Sequence, residues 1–87
     1  MSYSLRIKRS AAKALTRLDE PDRLRIIKAI DTLKHAPLRG EHMKGELTGL
    51  RRVRVGNYRV VYEIAARELL VLVVRIGHRR EIYRRRK

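Results

Sequence analysis

A β-hairpin is written into residues 52–61, and few other folds accommodate that stretch. Arginine and valine alternate through Arg52–Val53–Arg54–Val55, Gly56–Asn57 follows, and the chain resumes with Tyr58–Arg59–Val60–Val61. Successive side chains on a strand point to opposite faces, so the arginines share one face and the valines the other. Glycine at the first of two turn positions supplies the positive φ of a type II′ turn. A two-residue turn sets the register: Val55 opposite Tyr58, Arg54 opposite Arg59, Val53 opposite Val60 and Arg52 opposite Val61. Arg52, Arg54 and Arg59 thus gather on one face, while Tyr58 and Tyr62 fall with the valines on the core face. Facing like charges destabilise a hairpin, so folding alone does not account for the cluster. It suits a phosphate ligand.

The flanking segments supply the rest of an α+β domain. Residues 3–8 alternate, with Tyr3, Leu5 and Ile7 on one side, and read as a strand. Ser10 is the expected N-cap of a first helix with Ala11, Ala14, Leu15 and Leu18 on its apolar stripe. Pro21 suits the first turn of a second helix, which Asp19 or Glu20 precedes and Asp22 favours electrostatically. Ile26, Ile27, Ile30 and Leu33 form its apolar side, and Pro37 ends it. Residues 38–49, with three glycines, read as a connecting loop. Strands are expected near 50–55, 58–64 and 69–76. On the last, Leu70, Leu72, Val74 and Ile76 are assigned to the core, and Val71, Val73 and Arg75 to the arginine side. The expected order is βααβββ, two N-terminal helices packed on one face of a small, mostly antiparallel four-stranded sheet. At 87 residues the chain makes one domain, 1–87.

Charge narrows the partners. Twenty-three Lys and Arg against nine Asp and Glu give a net charge of +14, which implies a polyanion, nucleic acid first and an acidic protein second. The basic residues are not confined to one helix with a strong apolar face, which disfavours a membrane surface. Without cysteine there is no disulfide or thiolate metal site, and His35, His42 and His78 lack ligand spacing. Neither a metal nor a cofactor is expected. No signal-peptide core opens the chain, and the apolar run at 69–74 is too short to cross a bilayer. A soluble, cytoplasmic protein is expected.

Beyond the hairpin, Leu47–Thr48–Gly49–Leu50–Arg51 leads into it, Tyr62–Glu63–Ile64 leaves it, and Ile76–Gly77–His78–Arg79 and Ile82–Tyr83–Arg84 close the chain. Together these segments resemble the RelE toxins of the RelE/ParE superfamily, over essentially the whole chain. The resemblance implies the toxin of a type II toxin–antitoxin system, a ribosome-dependent endoribonuclease that cleaves mRNA in the A site. It implies a cognate acidic, RelB-like antitoxin as partner, and allows a higher-order complex that binds operator DNA through the antitoxin. The family's second-strand basic residues fall on Arg52 and Arg54, its arginine after the hairpin tyrosine on Arg59, and its terminal arginine and tyrosine on Arg79 and Tyr83.

Those residue types agree with metal-independent RNA cleavage. The 2′-hydroxyl attacks its own phosphate, so the protein must align the backbone, stabilise added negative charge and move two protons. Arginine forks grip phosphate oxygens bidentately, and Tyr83 is placed to stack on a base. By resemblance Arg79 acts at the leaving group. Active relatives often carry lysine where this chain has Arg52 and Arg54, and arginine does not give up its proton. His78, Glu63 and Glu81 are therefore the candidate bases, with His78 grouped among the catalytic set. The tail from Arg84 to Lys87 suits non-specific contact with ribosomal RNA. Two other readings remain open: a ParE-like inhibitor of DNA gyrase, and a non-catalytic RNA- or ribosome-binding relative.

Overall fold

The computed structural model describes residues 2–78. Its elements run β1 (Ser4–Ile7), α1 (Arg9–Thr16), α2 (Glu20–Leu33), β2 (Glu41–His42), β3 (Arg51–Val55), β4 (Tyr58–Ala65) and β5 (Leu70–His78), with 3₁₀ turns at Pro37–Arg39, Gly45–Leu47 and Ala66–Glu68. The sheet order is β1-β5-β4-β3-β2. β1 runs parallel to β5 and the other neighbours are antiparallel. The α+β architecture holds, but the sheet has five strands rather than four. The added strand, β2, lies in the stretch expected to be a loop. Two residues are too few to display an alternation, so tertiary contacts alone create it.

Both helices cover one face of the sheet. Ala11 and Leu15 of α1 and Ile26, Ile30 and Leu33 of α2 are buried against Val60, Tyr62, Val71, Val73 and Ile76, with Tyr3, Leu5 and Ile7 packed beside them. Ile27, expected inward, is 45% exposed. Its neighbours Ile26, Ile30 and Leu33 follow the i, i+4, i+7 stripe, which leaves Ile27 about 100° away around the helix. Ser10 does not cap α1. The Lys8 amide donates to the Val73 carbonyl (2.8 Å) and the Lys8 carbonyl accepts from Ala12 (2.9 Å), so the last rung of the β1–β5 ladder starts the helix at Arg9. α2 begins as expected, with Asp19 at the N-cap and Glu20 and Asp22 in a first turn that also holds Pro21.

β5 departs from the expected alternation. Val61 pairs with Arg75 but Tyr62 pairs with Val73, so Val74 is an extra residue in the ladder. Such a bulge moves the following side chains to the other face. Val71 and Val73 therefore join the core before it and Ile76 after it. Leu70, Leu72 and Val74 do not reach the core positions assigned to them. Val74 instead packs on the opposite face with Met43, Leu47, Leu50 and Val61.

Tyr62 fastens the connection to the sheet. Its hydroxyl donates to the Pro37 carbonyl (2.6 Å) and accepts from the Gly40 amide (2.9 Å). Burial pushes the phenol above its ordinary pKa, against the opposing Gly40 hydrogen bond and the Arg51 charge, so it remains a donor. Arg51 grips the same segment, donating to the carbonyls of Gly40 (2.7 Å) and Leu38 (3.3 Å). A Cβ at Gly40 would lie 2.7 Å from the Tyr62 hydroxyl oxygen and 2.8 Å from the Arg52 carbonyl, so only glycine fits. These contacts carry the chain into β2.

Candidate functional site

The hairpin forms in the expected register. Arg54 lies opposite Arg59, Val53 opposite Val60, Val55 opposite Tyr58 and Arg52 opposite Val61. Gly56 has φ of +61° and Asn57 stays outside the left-handed region, the sign pattern of a type II′ turn. Arg52, Arg54 and Arg59 consequently share the face that the helices leave open. Across β4, Val61 pairs with Arg75 and Arg59 with Gly77. Arg75 thus joins the arginine face, and no side chain from Gly77 crowds Arg59.

The three arginines are held differently. Arg59 is only 8% exposed, and its Nη1 donates to the carbonyls of Tyr58 (2.9 Å) and Gly56 (3.3 Å). Its guanidinium is therefore fixed over the turn before any ligand arrives. Arg52 donates from Nη2 to Glu41 Oε1 at 2.6 Å, across the β2–β3 pair that sets Glu41 opposite Arg52. Arg54 is exposed. Beyond Arg52, β2 no longer covers the edge of β3, and a cleft of about 280 Å³ opens there between Arg39, Glu41, Arg52, Val53 and Arg54.

Glu41 and Arg39 belong to this cleft and have no periodic signal in the sequence. Glu41 is the single acid between Leu38 and Lys44, and only that isolation could have drawn attention to it. The hydrogen bond from Arg52 and that residue's charge, with a further contribution from Arg54, hold the Glu41 carboxyl below the usual carboxylate range. It stays ionised throughout the neutral range. The cleft that Arg39, Arg52 and Arg54 line is able to bind a phosphate, and the same cations that keep Glu41 ionised make it a weaker base while the pair is intact.

The expected base candidates lie elsewhere. His78 is opposite Tyr58, and the two rings meet edge to face with centroids 5.8 Å apart and planes at 79°. That pairing puts His78 on the helix-covered face, across the sheet from the arginines. β5 was expected to end near Ile76; because it continues to His78, the histidine still follows the strand alternation. Glu63 shares the arginine face by parity but lies four residues from Arg59, roughly 13 Å along an extended strand. Arg79, Glu81, Tyr83 and the basic tail lie outside the described residues.

Residues 5–83 match the family described as the ParE toxin of type II toxin–antitoxin systems. The chain is 33% identical to toxin RelG of Mycobacterium tuberculosis over 87 aligned positions, covering 98% of this chain and 100% of that toxin. Among solved structures, it is similar to a chain of the toxin–antitoxin complex RelBE2 from Mycobacterium tuberculosis, with a TM-score of 0.84 at 28% identity, covering 91% of this chain and 100% of the other. It is also similar to a chain of the archaeal RelE–RelB complex from Pyrococcus horikoshii, with a TM-score of 0.75 at 26% identity, covering 91% of this chain and 97% of that one. In fold, length and sequence, this chain belongs to the ParE toxin family of type II toxin–antitoxin systems, within the RelE/ParE superfamily.

Proposed function

We propose that this toxin is a ribosome-dependent mRNA endoribonuclease whose active site is the arginine face of the sheet. The observation that carries the reading is the convergence of Arg52, Arg54 and Arg59 on one face, with Arg59 buried and fixed by turn carbonyls. Burying a guanidinium is costly unless something is gained. A preorganised cation aimed at a phosphate gains most where negative charge grows, on the non-bridging oxygens during in-line attack by the 2′-hydroxyl. Arg54 adds a second fork at the exposed end.

Arginine holds charge but does not take a proton. We assign the proton acceptor to Glu41, the carboxylate of the same cleft, once a phosphate displaces it from Arg52 and removes the hydrogen bond that depresses its pKa. In this scheme Glu41 takes the proton of the 2′-hydroxyl, the arginines stabilise the phosphorane, and the departing 5′-oxygen, its charge stabilised by Arg79, takes a proton from water. The ribosome would supply the alignment of the mRNA. An acidic RelB-like antitoxin would hold the toxin inactive by covering this basic surface.

Cleavage mapping on mRNA with and without programmed ribosomes tests the proposal. Ribosome-dependent cuts within the A-site codon are expected, weakened about 10²- to 10³-fold in Arg54→Ala and strongly in Arg79→Ala. Equal cleavage of free RNA, or variants as active as the wild type, would contradict it. The ParE family match favours a second reading, inhibition of DNA gyrase. Loss of supercoiling by purified gyrase, without any mRNA cleavage, would select that reading.

A further inference from the structure

We infer that the cleft beside the arginine face, between β2 and the Gly45–Leu47 turn, is a nucleobase subsite for the RNA whose phosphate the arginines hold, an inference that rests on the phosphate-binding reading above. The cleft has a volume of about 530 Å³ and is lined by Glu41, His42, Met43, Lys44, Leu47 and Arg52. That volume falls in the ordinary range for small-molecule sites. Its floor is apolar and firm: Met43 is 8% exposed and packs with buried Val61, and Leu47 rests on the same cluster. Its rim is polar, with Lys44 and the Glu41 carboxylate. An apolar floor under a rim of donors and acceptors matches a flat heterocycle, whose faces are apolar and whose edge forms hydrogen bonds.

Continuity with the arginine cleft identifies the occupant. The two clefts share Glu41 and Arg52, so the ion pair between them is a common wall. A phosphate held by Arg39, Arg52 and Arg54 on one side leaves its nucleoside beside the other. The fold also fixes this wall. Arg51 Nη2 lies 3.1 Å from His42 Nε2, a contact between neighbours across the β2–β3 pair. Arg51 thereby holds β2 on the edge of β3. The base bound here would be read by residues 41–47, which makes this segment the determinant of sequence preference.

An uncleavable 2′-O-methyl RNA trinucleotide provides the test, compared with versions in which each residue in turn is abasic. The phosphates are unchanged across the set, so differences report base binding alone. In wild-type protein, one abasic position should weaken binding on the order of tenfold. Leu47→Trp, which fills the cleft without altering charge, should bind the intact trinucleotide as weakly as the wild type binds that abasic form. If Leu47→Trp fails to fold, Leu47→Ser removes the floor and should reduce the same penalty. Equal affinity for all abasic forms in the wild type overturns the subsite while leaving phosphate binding intact. An abasic penalty that persists in the folded Leu47 variant also overturns it. If the intact trinucleotide binds wild type and Arg54→Ala equally weakly, the phosphate reading fails and takes the subsite with it.

Discussion

The two faces of this sheet follow different rules although they share every strand. On the helix side, apolar side chains such as Ile26, Ile30, Val60 and Val73 are buried, and polar groups such as the Tyr62 hydroxyl find backbone partners. On the open side, Arg52, Arg54, Arg59 and Arg75 stand together, where their mutual repulsion works against the sheet. The helix side is organised for stability. The open side gathers like charges around a cleft, which is the behaviour of a surface shaped for an anionic ligand.

Substitutions on the two faces should therefore separate stability from activity. Ile30→Ala, on the fully covered side, should cost about 2–5 kcal/mol and lower the unfolding midpoint in urea, while the protein that remains folded keeps its specific activity. Arg54→Ala should do the reverse, shifting stability by no more than about 0.5 kcal/mol while abolishing most cleavage. A large stability loss in Arg54→Ala would erase the distinction between the faces. Tyr62→Phe should cost about 1–3 kcal/mol, because it leaves the buried Gly40 amide and the Pro37 carbonyl without their partner. It should also loosen β2 and so disturb Glu41, which hydrogen exchange at the Gly40 and Glu41 amides would register.

The bulge offers a finer comparison within one strand. Val73→Ala should destabilise by about 1–3 kcal/mol and Val74→Ala by less, since Val73 lies in the main core and Val74 in the small cluster opposite. Equal losses would mean that the ladder lacks this irregularity. The smallest effect on stability concerns Glu41. Because its folded pKa is depressed by Arg52, its stabilising contribution is present above the unfolded value near 4.3 and fades as pH falls through the lower folded value. Wild type and Glu41→Gln should therefore differ in urea midpoint at pH 7, and the difference should shrink as acid titrates the carboxylate below its ordinary range. Cleavage by Glu41→Gln at pH 7 should fall about 10²- to 10⁴-fold if Glu41 is the proton acceptor.

How much of this could be read from the chain depended on periodicity. The hairpin register was legible because Gly56 dictates the turn and arginine alternates with valine around it. The helices were legible from their apolar stripes, although Lys8 rather than Ser10 precedes α1 and Ile27 remains half exposed. β2 was not legible, because it exists through contacts from Tyr62 and Arg51 rather than through a pattern of its own. The bulge at Val74 was hidden for a related reason: an extra residue in a ladder leaves no mark in a run of leucines and valines. At the site, Arg52, Arg54 and Arg59 come together as expected, whereas Glu41 and Arg39 arrive from a segment without periodicity. His78 was grouped with the arginines as a candidate base, but its residue type does not decide which face of the sheet it takes, and it pairs with Tyr58 instead.

The central claim is that the open arginine face performs chemistry rather than merely attracting polyanions. Single-turnover cleavage of A-site mRNA on programmed ribosomes, for wild type and Arg54→Ala at saturating toxin, measures this most directly because saturation removes differences in binding. The account predicts a cleavage rate constant at least about 10²-fold lower in the variant, at unchanged thermal stability. An unchanged rate constant, with the loss confined to the toxin concentration needed for saturation, would contradict it.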